Sequence, residues 1–348
     1  MTDRQNAKAG NDAQIIQSGR DTYVGFTSQQ VRDIVSELQK PQLEAFSAIA
    51  RDVVDQRLQA FEKLVLKSFA DGGAGNREAF REPDFQYLLT KAQHAFARSG
   101  DEELGEILVS MIETRSQEIG RTRVSLSLNE AIEKSAQLTT EEFAVITLCF
   151  LIRYCSLAAQ TIEQLANSLK SFHELTSELR SETSSYEYIA SLGLGSVGVF
   201  RADFMTCMRH TYMTLISTGF DIDQVDPDVR SSHPELMNDI LKPCKLNPAK
   251  YQLPFSKHID LLVYANKRGW NNDEQIQNLW NIFEATALTP DQFKDQVRPI
   301  FPEINNFVFI WDVSLLGKLS LTSVGMAIAH GNARRCGIPM QELSTWIK

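Results

Sequence analysis

What the 348-residue sequence lacks narrows the search first. Its five cysteines, an odd number, include no CxxC pair, so neither a zinc ribbon nor a thioredoxin-like redox site is written into the chain. Cys149, Cys155, Cys207, Cys244 and Cys336 read as reduced thiols, several within apolar helical runs. No HExxH, GxSxG or Walker A sequence occurs, which removes zincin, α/β-hydrolase and P-loop chemistry. Long hydrophobic runs are also missing. The most apolar stretch, 143–159, is short and interrupted by Arg153, so it predicts a buried helix and no membrane span. The first thirty residues hold no apolar h-region. That predicts no secretory signal and a cytoplasmic chain. An excess of basic residues is absent as well: 35 Lys and Arg face 44 Asp and Glu, a net charge of -9. This balance disfavours broad binding to nucleic acid or anionic membrane.

What is present is helical periodicity. Apolar residues are 43% of the chain, enough to bury a sizeable core. From residue 27 onward they recur at steps of three and four. Thr27 or Ser28 caps a first helix, which Pro41 kinks or restarts. Leu43, Phe46, Ala50, Val54, Leu58, Phe61, Val65 and Phe69 then form one stripe, ended by Gly72, Gly73 and Gly75. Further helices are predicted over 84–98, 101–119, 128–137, 139–169, 201–217, 258–267, 273–285 and 290–297. A polar continuation of the 139–169 helix runs over 171–186. Residues 221–258 hold five prolines and read mostly as loop. Near the end, 306–313 is aromatic and β-branched and 316–321 follows it; both read as strands before a helix over 323–336. The fold class predicted is mainly α: a multi-helix body with a long N-terminal helix and a small C-terminal winged-helix-like α/β unit. Residues 1–26 read as disordered or β-prone. The division is 1–26 as a polar assembly segment, 27–75 as amphipathic helix and glycine linker, 76–220 as a helical domain, and 221–348 as a C-terminal domain.

Three constellations invite a chemical reading. Gly193, Gly195 and Gly198 match GxGxxG, a phosphate cradle when a strand precedes and a helix follows. Without that context the glycines serve a helix-to-helix turn and close packing. His330, Arg334 and Arg335 share the last helix. On a winged unit they would touch phosphates; otherwise cations near a helix C-terminus complement its dipole, the reading the acidic whole favours. The histidines, His94, His173, His210, His233, His258 and His330, show no ligand spacing, even though His210 follows Cys207 by three. The sequence therefore assigns no catalytic residue, no metal and no cofactor.

The most distinctive feature is the segment 11–25. Ile15, Ile16, Gln17, Ser18 and Gly19 are low in net charge and sit among Asn and Gln. Copies of such a segment can stack in register, held by backbone hydrogen bonds and Asn/Gln ladders. The alternatives are a solvated tail or a small oligomerising β-rung.

Ala9-Gly10-Asn11-Asp12, then Ile16-Gln17-Ser18-Gly19-Arg20-Asp21, then a helix opening at Thr27, resemble the start of an uncharacterised bacterial family whose N-terminus reads about GDNS, then IQ-x-G-x-D. The resemblance continues through 92–101, 104–112, 129–139, 150–154 and 321–328. The IQ-x-G core is also similar to the RIP homotypic interaction motif (RHIM) and to bacterial amyloid-signalling motifs. Ser18 stands where that motif prefers an apolar residue. The resemblance implies assembly between sensor and effector, often in antiphage defence, and it carries no catalytic residue. The expectation is thus a non-enzymatic interaction protein of bacterial defence or signalling. It would engage a protein partner or itself through residues 9–25, as a homo-oligomer, with no membrane. The alternatives are a nucleic-acid-binding regulator using the C-terminal unit and a nucleotide-binding enzyme using Gly193–Gly198.

Overall fold

The structure, a computed structural model, describes residues 40–70, 74–177, 179 and 183–348, with side chains from residue 47 onward. The segment expected to drive assembly, including Ile15 to Gly19, lies outside the described residues, as do Gly72 and Gly73. The described residues fall into two units that part between residues 56 and 57.

A long helix, α1 (Lys40–Ser68), runs through the boundary. In the second unit its stripe is buried as the period predicts, at Phe61, Val65 and Phe69. In the first unit every residue from 47 to 56 is exposed. Then follow α2 (Pro83–Ser99), α3 (Glu102–Gln117) and α4 (Arg123–Ser135). Their ends obey local chemistry. Gly100 adopts φ 65° and closes α2, and the Asp101 carboxylate accepts the Leu104 N–H at 3.2 Å to open α3. Thr122 caps α4 five residues earlier than the apolar pattern suggests, accepting from Ser125 N at 3.0 Å. Beneath these helices Arg115 is buried, with Asp84 at 2.8 Å and Asn129 Oδ1 at 3.2 Å. The Asn129 amide and the Arg115 guanidinium together hold the Asp84 carboxyl below the usual carboxylate range.

The apolar run expected as one helix over 139–169 is divided. α5 (Thr140–Arg153) opens on a capping box in which Thr139 N donates to Glu142 Oε2 at 2.7 Å. It ends at Tyr154, and Thr161 caps a new helix, α6 (Ile162–Ser171). The polar continuation is likewise broken, into α7 (His173–Thr176) and α8 (Ser184–Ser191). A three-residue strand, β1 (Gly195–Val197), and α9 (Phe204–Tyr212) complete the first half.

The chain then leaves one hydrophobic core and builds another. Met213, Phe220, Val229, Leu236, Leu253, Leu261, Trp270, Ile276 and Phe283 form this second core. It is supplied by α10 (Pro227–Ser232), α11 (Pro234–Ile240), the short pair β2 (Lys242–Pro243) and β3 (Tyr251–Gln252), α12 (His258–Lys267) and α13 (Asp273–Glu284). Its neck is a crossing of two segments: Thr218 N donates to Thr286 O at 2.9 Å, and Leu288 N to Ile216 O at 2.7 Å. From Leu288 the chain re-enters the first core through α14 (Pro290–Val297) and α15 (Ile304–Val313). The expected division at 220/221 falls close to this neck, and the residues beyond Leu288 pack in the first core. The second core is an insertion, and the C-terminal sixty residues belong with 76–216.

The winged unit is corrected too. Residues 306–313, expected as a strand, lie in α15. Ile304, Phe307, Val308 and Trp311 are its buried residues, and their spacing is that of a helix, so burial on one helical face overrides β-propensity. Only β4 (Leu319–Leu321) is a strand. Its partner is β1, antiparallel, with Ser196 opposite Ser320. Side chains of α5 cover the other edge of β4. Arg153 and Cys149 both donate to Leu319 O, and Tyr154 OH accepts from Leu321 N at 3.0 Å. The last helix, α16 (Ser323–Arg335), packs on α3, α4 and α5 as the centre of the first core. Among the described residues no helix is long and apolar enough to cross a membrane.

Candidate functional site

A helix surrounded by three others must carry small or satisfied side chains. Thr322 caps α16, and Gly, Ala and Ile fill its middle. Its C-terminal half is polar nonetheless. His330 and Asn332 are both buried, so each polar atom there requires a partner. Asn332 Nδ2 donates to Thr147 Oγ1 at 2.9 Å, and Asn332 Oδ1 accepts from Arg335 Nε at 2.8 Å. Arg335 also faces Glu103 at 3.4 Å. Arg334 pairs with Glu113 at 3.0 Å and donates to Thr114 Oγ1 at 2.8 Å. The second oxygen of Glu113 accepts from the Ser68 hydroxyl.

His330 ties this helix to the C-terminal tail. Its Nε2 lies 2.9 Å from Gln341 O. A carbonyl only accepts, so Nε2 carries the proton and Nδ1 presents a bare lone pair. That Nδ1 is buried and has no hydrogen-bond partner among the described residues. Burial, with Arg334 nearby, pushes the His330 pKa down to about 4, so the ring is neutral at pH 7. Farther along the tail, Trp346 Nε1 donates to Tyr154 O at 2.8 Å.

Clefts surround this helix end. One of about 480 Å³ is lined by His330, Arg334, Glu113, Glu118, Gln341 and Glu342. A second, of about 400 Å³, lies on the other side of Arg334 and includes Ser110 and Lys67. A third, of about 600 Å³, is more apolar, with Leu157, Phe172, Ile338 and Trp346 in its walls. All three fall in the size range of small-molecule sites.

The residues expected at a nucleic-acid interface are thus brought together, but not as free cations. His330 is 3% exposed, and Arg334 and Arg335 face carboxylates more than two hundred positions earlier in the chain. The glycine motif of Gly193, Gly195 and Gly198 follows a helix and runs into a strand. A helix, α8, precedes it, and its middle is β1 itself. Gly193 takes φ 71° at the turn, and a Cβ on Gly195 would stand 2.8 Å from Ser320 O. Opposite them, a Cβ on Gly325 would collide with the Leu194 carbonyl. The glycines let β1, β4 and α16 meet. Cys207 is buried and His210 exposed, so they share no site. Among the described residues no group of three or more His, Cys, Asp or Glu could hold a metal. Sequence reasoning missed Glu103, Glu113, Thr147 and Gln341, since nothing local in the chain announces a partner so far away.

Exposed apolar side chains lie at several other places, among them α1 and the segment after β1. Ile49, Val53 and Val54 lie on the first-unit part of α1, Ile49 being 59% exposed. Beyond β1, Val199 and Phe200 are 87% and 92% exposed.

No curated protein and no solved structure matches the chain. The model of a protein family of unknown function matches residues 25–347, nearly the whole chain, and the chain belongs to that family.

Proposed function

We propose that this chain is an interaction protein whose N-terminal part brings copies together. The observation that carries this reading is the exposure of Ile49, Val53 and Val54 on α1. The first two are four residues apart, on one face of the helix. An apolar helical face gains stability only against another surface, and a second copy offers the same face. The segment 9–25, upstream of that helix, adds the stacking chemistry of Ile15, Ile16, Gln17 and Gly19. On this reading the chain is a cytoplasmic homo-oligomer acting in bacterial defence or signalling, and its biochemical output is assembly.

The experiment is sedimentation velocity, with fibril-dye binding, on the full chain and on a chain without residues 1–26. The reading expects the full chain to sediment as larger species and the shortened chain to lose the dye signal. Identical sedimentation and no dye binding by either would overturn the part assigned to the segment.

A further inference from the structure

We propose that the cleft of about 600 Å³ between the 155–158 loop and the C-terminal tail binds a neutral, mainly apolar small molecule. None of the fourteen residues that line it is charged. The two clefts beside Arg334 differ, since each holds that arginine and Glu113. Even the thiols in the walls are neutral at pH 7. Burial raises Cys155 to about 12 and lifts Cys336 above the usual thiol range. An ion that entered would leave water and meet no opposite charge, which is costly. The apolar surface is open to a ligand. Leu157, Met340 and Trp346 are half-buried, and Ala158 and Pro339 are exposed. The polar side chains of the lining, those of Ser156, Ser168, Ser171 and Gln341, are neutral. They suit a hydroxyl or carbonyl on an otherwise apolar body.

The walls are in place before any ligand arrives. Trp346 Nε1 donates to Tyr154 O at 2.8 Å, and Phe150 meets the indole edge-on at 4.9 Å between ring centres. Tyr212 OH accepts from Leu157 N at 2.8 Å. In the tail, Gly337 N and Ile338 N donate to Arg334 O and Ala333 O at 2.9 and 3.0 Å, which ties it to the end of α16. Binding need not order these segments, so burial of apolar ligand surface is expressed as affinity. A second copy is a poorer occupant, because a stable dimer needs a face several times wider than this cleft.

The test titrates the full chain with N-phenyl-naphthylamine, a neutral dye that brightens in apolar surroundings. Three competitors share one ring system: naphthol, naphthyl phosphate and naphthylmethylammonium. Indole N–H spectra of ¹⁵N-tryptophan-labelled protein locate the site, with the Trp346 signal assigned from Trp346→Phe. The proposal expects saturable dye binding, displaced by naphthol at least about tenfold more readily than by either ion. The Trp346 signal should move with the same midpoint, while those of the other three tryptophans, all buried, stay in place. Ala158→Trp and Pro339→Trp, at exposed positions where folding is not at stake, would each fill the cleft and should weaken binding at least about tenfold. Phe200→Ser, at the exposed ring beyond β1, should leave the affinity unchanged. Four results would overturn the proposal: no saturable binding, displacement by either ion as readily as by naphthol, full affinity in both folded filling variants, or dye binding that weakens as protein concentration rises, which would give the cleft to a second copy.

Discussion

Replacing Thr147 with valine keeps the volume of the side chain and removes one oxygen. Thr147 is fully buried and Asn332 is 1% exposed, so no solvent replaces the lost acceptor at 2.9 Å. The Asn332 amide N–H is then left without a partner. An orphaned buried donor costs about 1–3 kcal/mol, and with both groups at the centre of the core about 2 kcal/mol is expected. The second half of the argument is a cycle. Asn332→Leu in the same background removes the orphan, while Arg335 keeps Glu103. The double variant should then be no less stable than Thr147→Val alone, with a coupling of about 1–2 kcal/mol between the two positions. Urea unfolding followed by circular dichroism measures all four corners. If Thr147→Val lies within about 0.5 kcal/mol of wild type, or the two substitutions add, the buried hydrogen bond does not anchor α16.

Other consequences are as direct. The unfolded chain takes up a proton at His330 near pH 6.5, whereas the folded chain resists until about 4. Stability should therefore fall as pH drops through that window, by about 3 kcal/mol from this residue, and His330→Phe should flatten the fall in parallel unfolding curves at pH 7.5 and 4.5. Burial raises the Cys149 and Cys155 thiols to about 12 and Cys207 to about 11, so timed alkylation at pH 8 with mass mapping should label Cys336, the exposed thiol, well before them. Gly325→Ala should cost several kcal/mol, since its methyl would collide with the Leu194 carbonyl, backbone that cannot swing aside. Phe200→Ser should change stability by less than about 0.5 kcal/mol, because the ring is almost wholly exposed.

Much of the helical body was legible before the structure. The boundaries near Gly100, Asp101, Thr139, Pro290 and Thr322 follow from capping chemistry that needs only a few neighbouring residues. The errors have one source. Local composition makes 306–313 look like a strand and 139–169 like a single helix, and only packing decides otherwise. The two cores were invisible for the same reason, because the neck at Thr218 and Thr286 joins segments nearly seventy residues apart. The candidate site shows the limit most clearly. His330, Arg334 and Arg335 were picked out as a group, and they do stand together, yet their meaning changed once Glu103, Glu113 and Gln341 were placed beside them.

The proposed assembly is tested most directly by the mass of the full chain in solution. Light scattering across a concentration series would be measured for the full chain and for Ile49→Asp with Val53→Asp, both positions being exposed and free of core packing. The account predicts an oligomer for the full chain and a shift toward monomer in the variant at unchanged helix content. A wild-type chain that stays monomeric throughout, or a variant of equal mass, would contradict it.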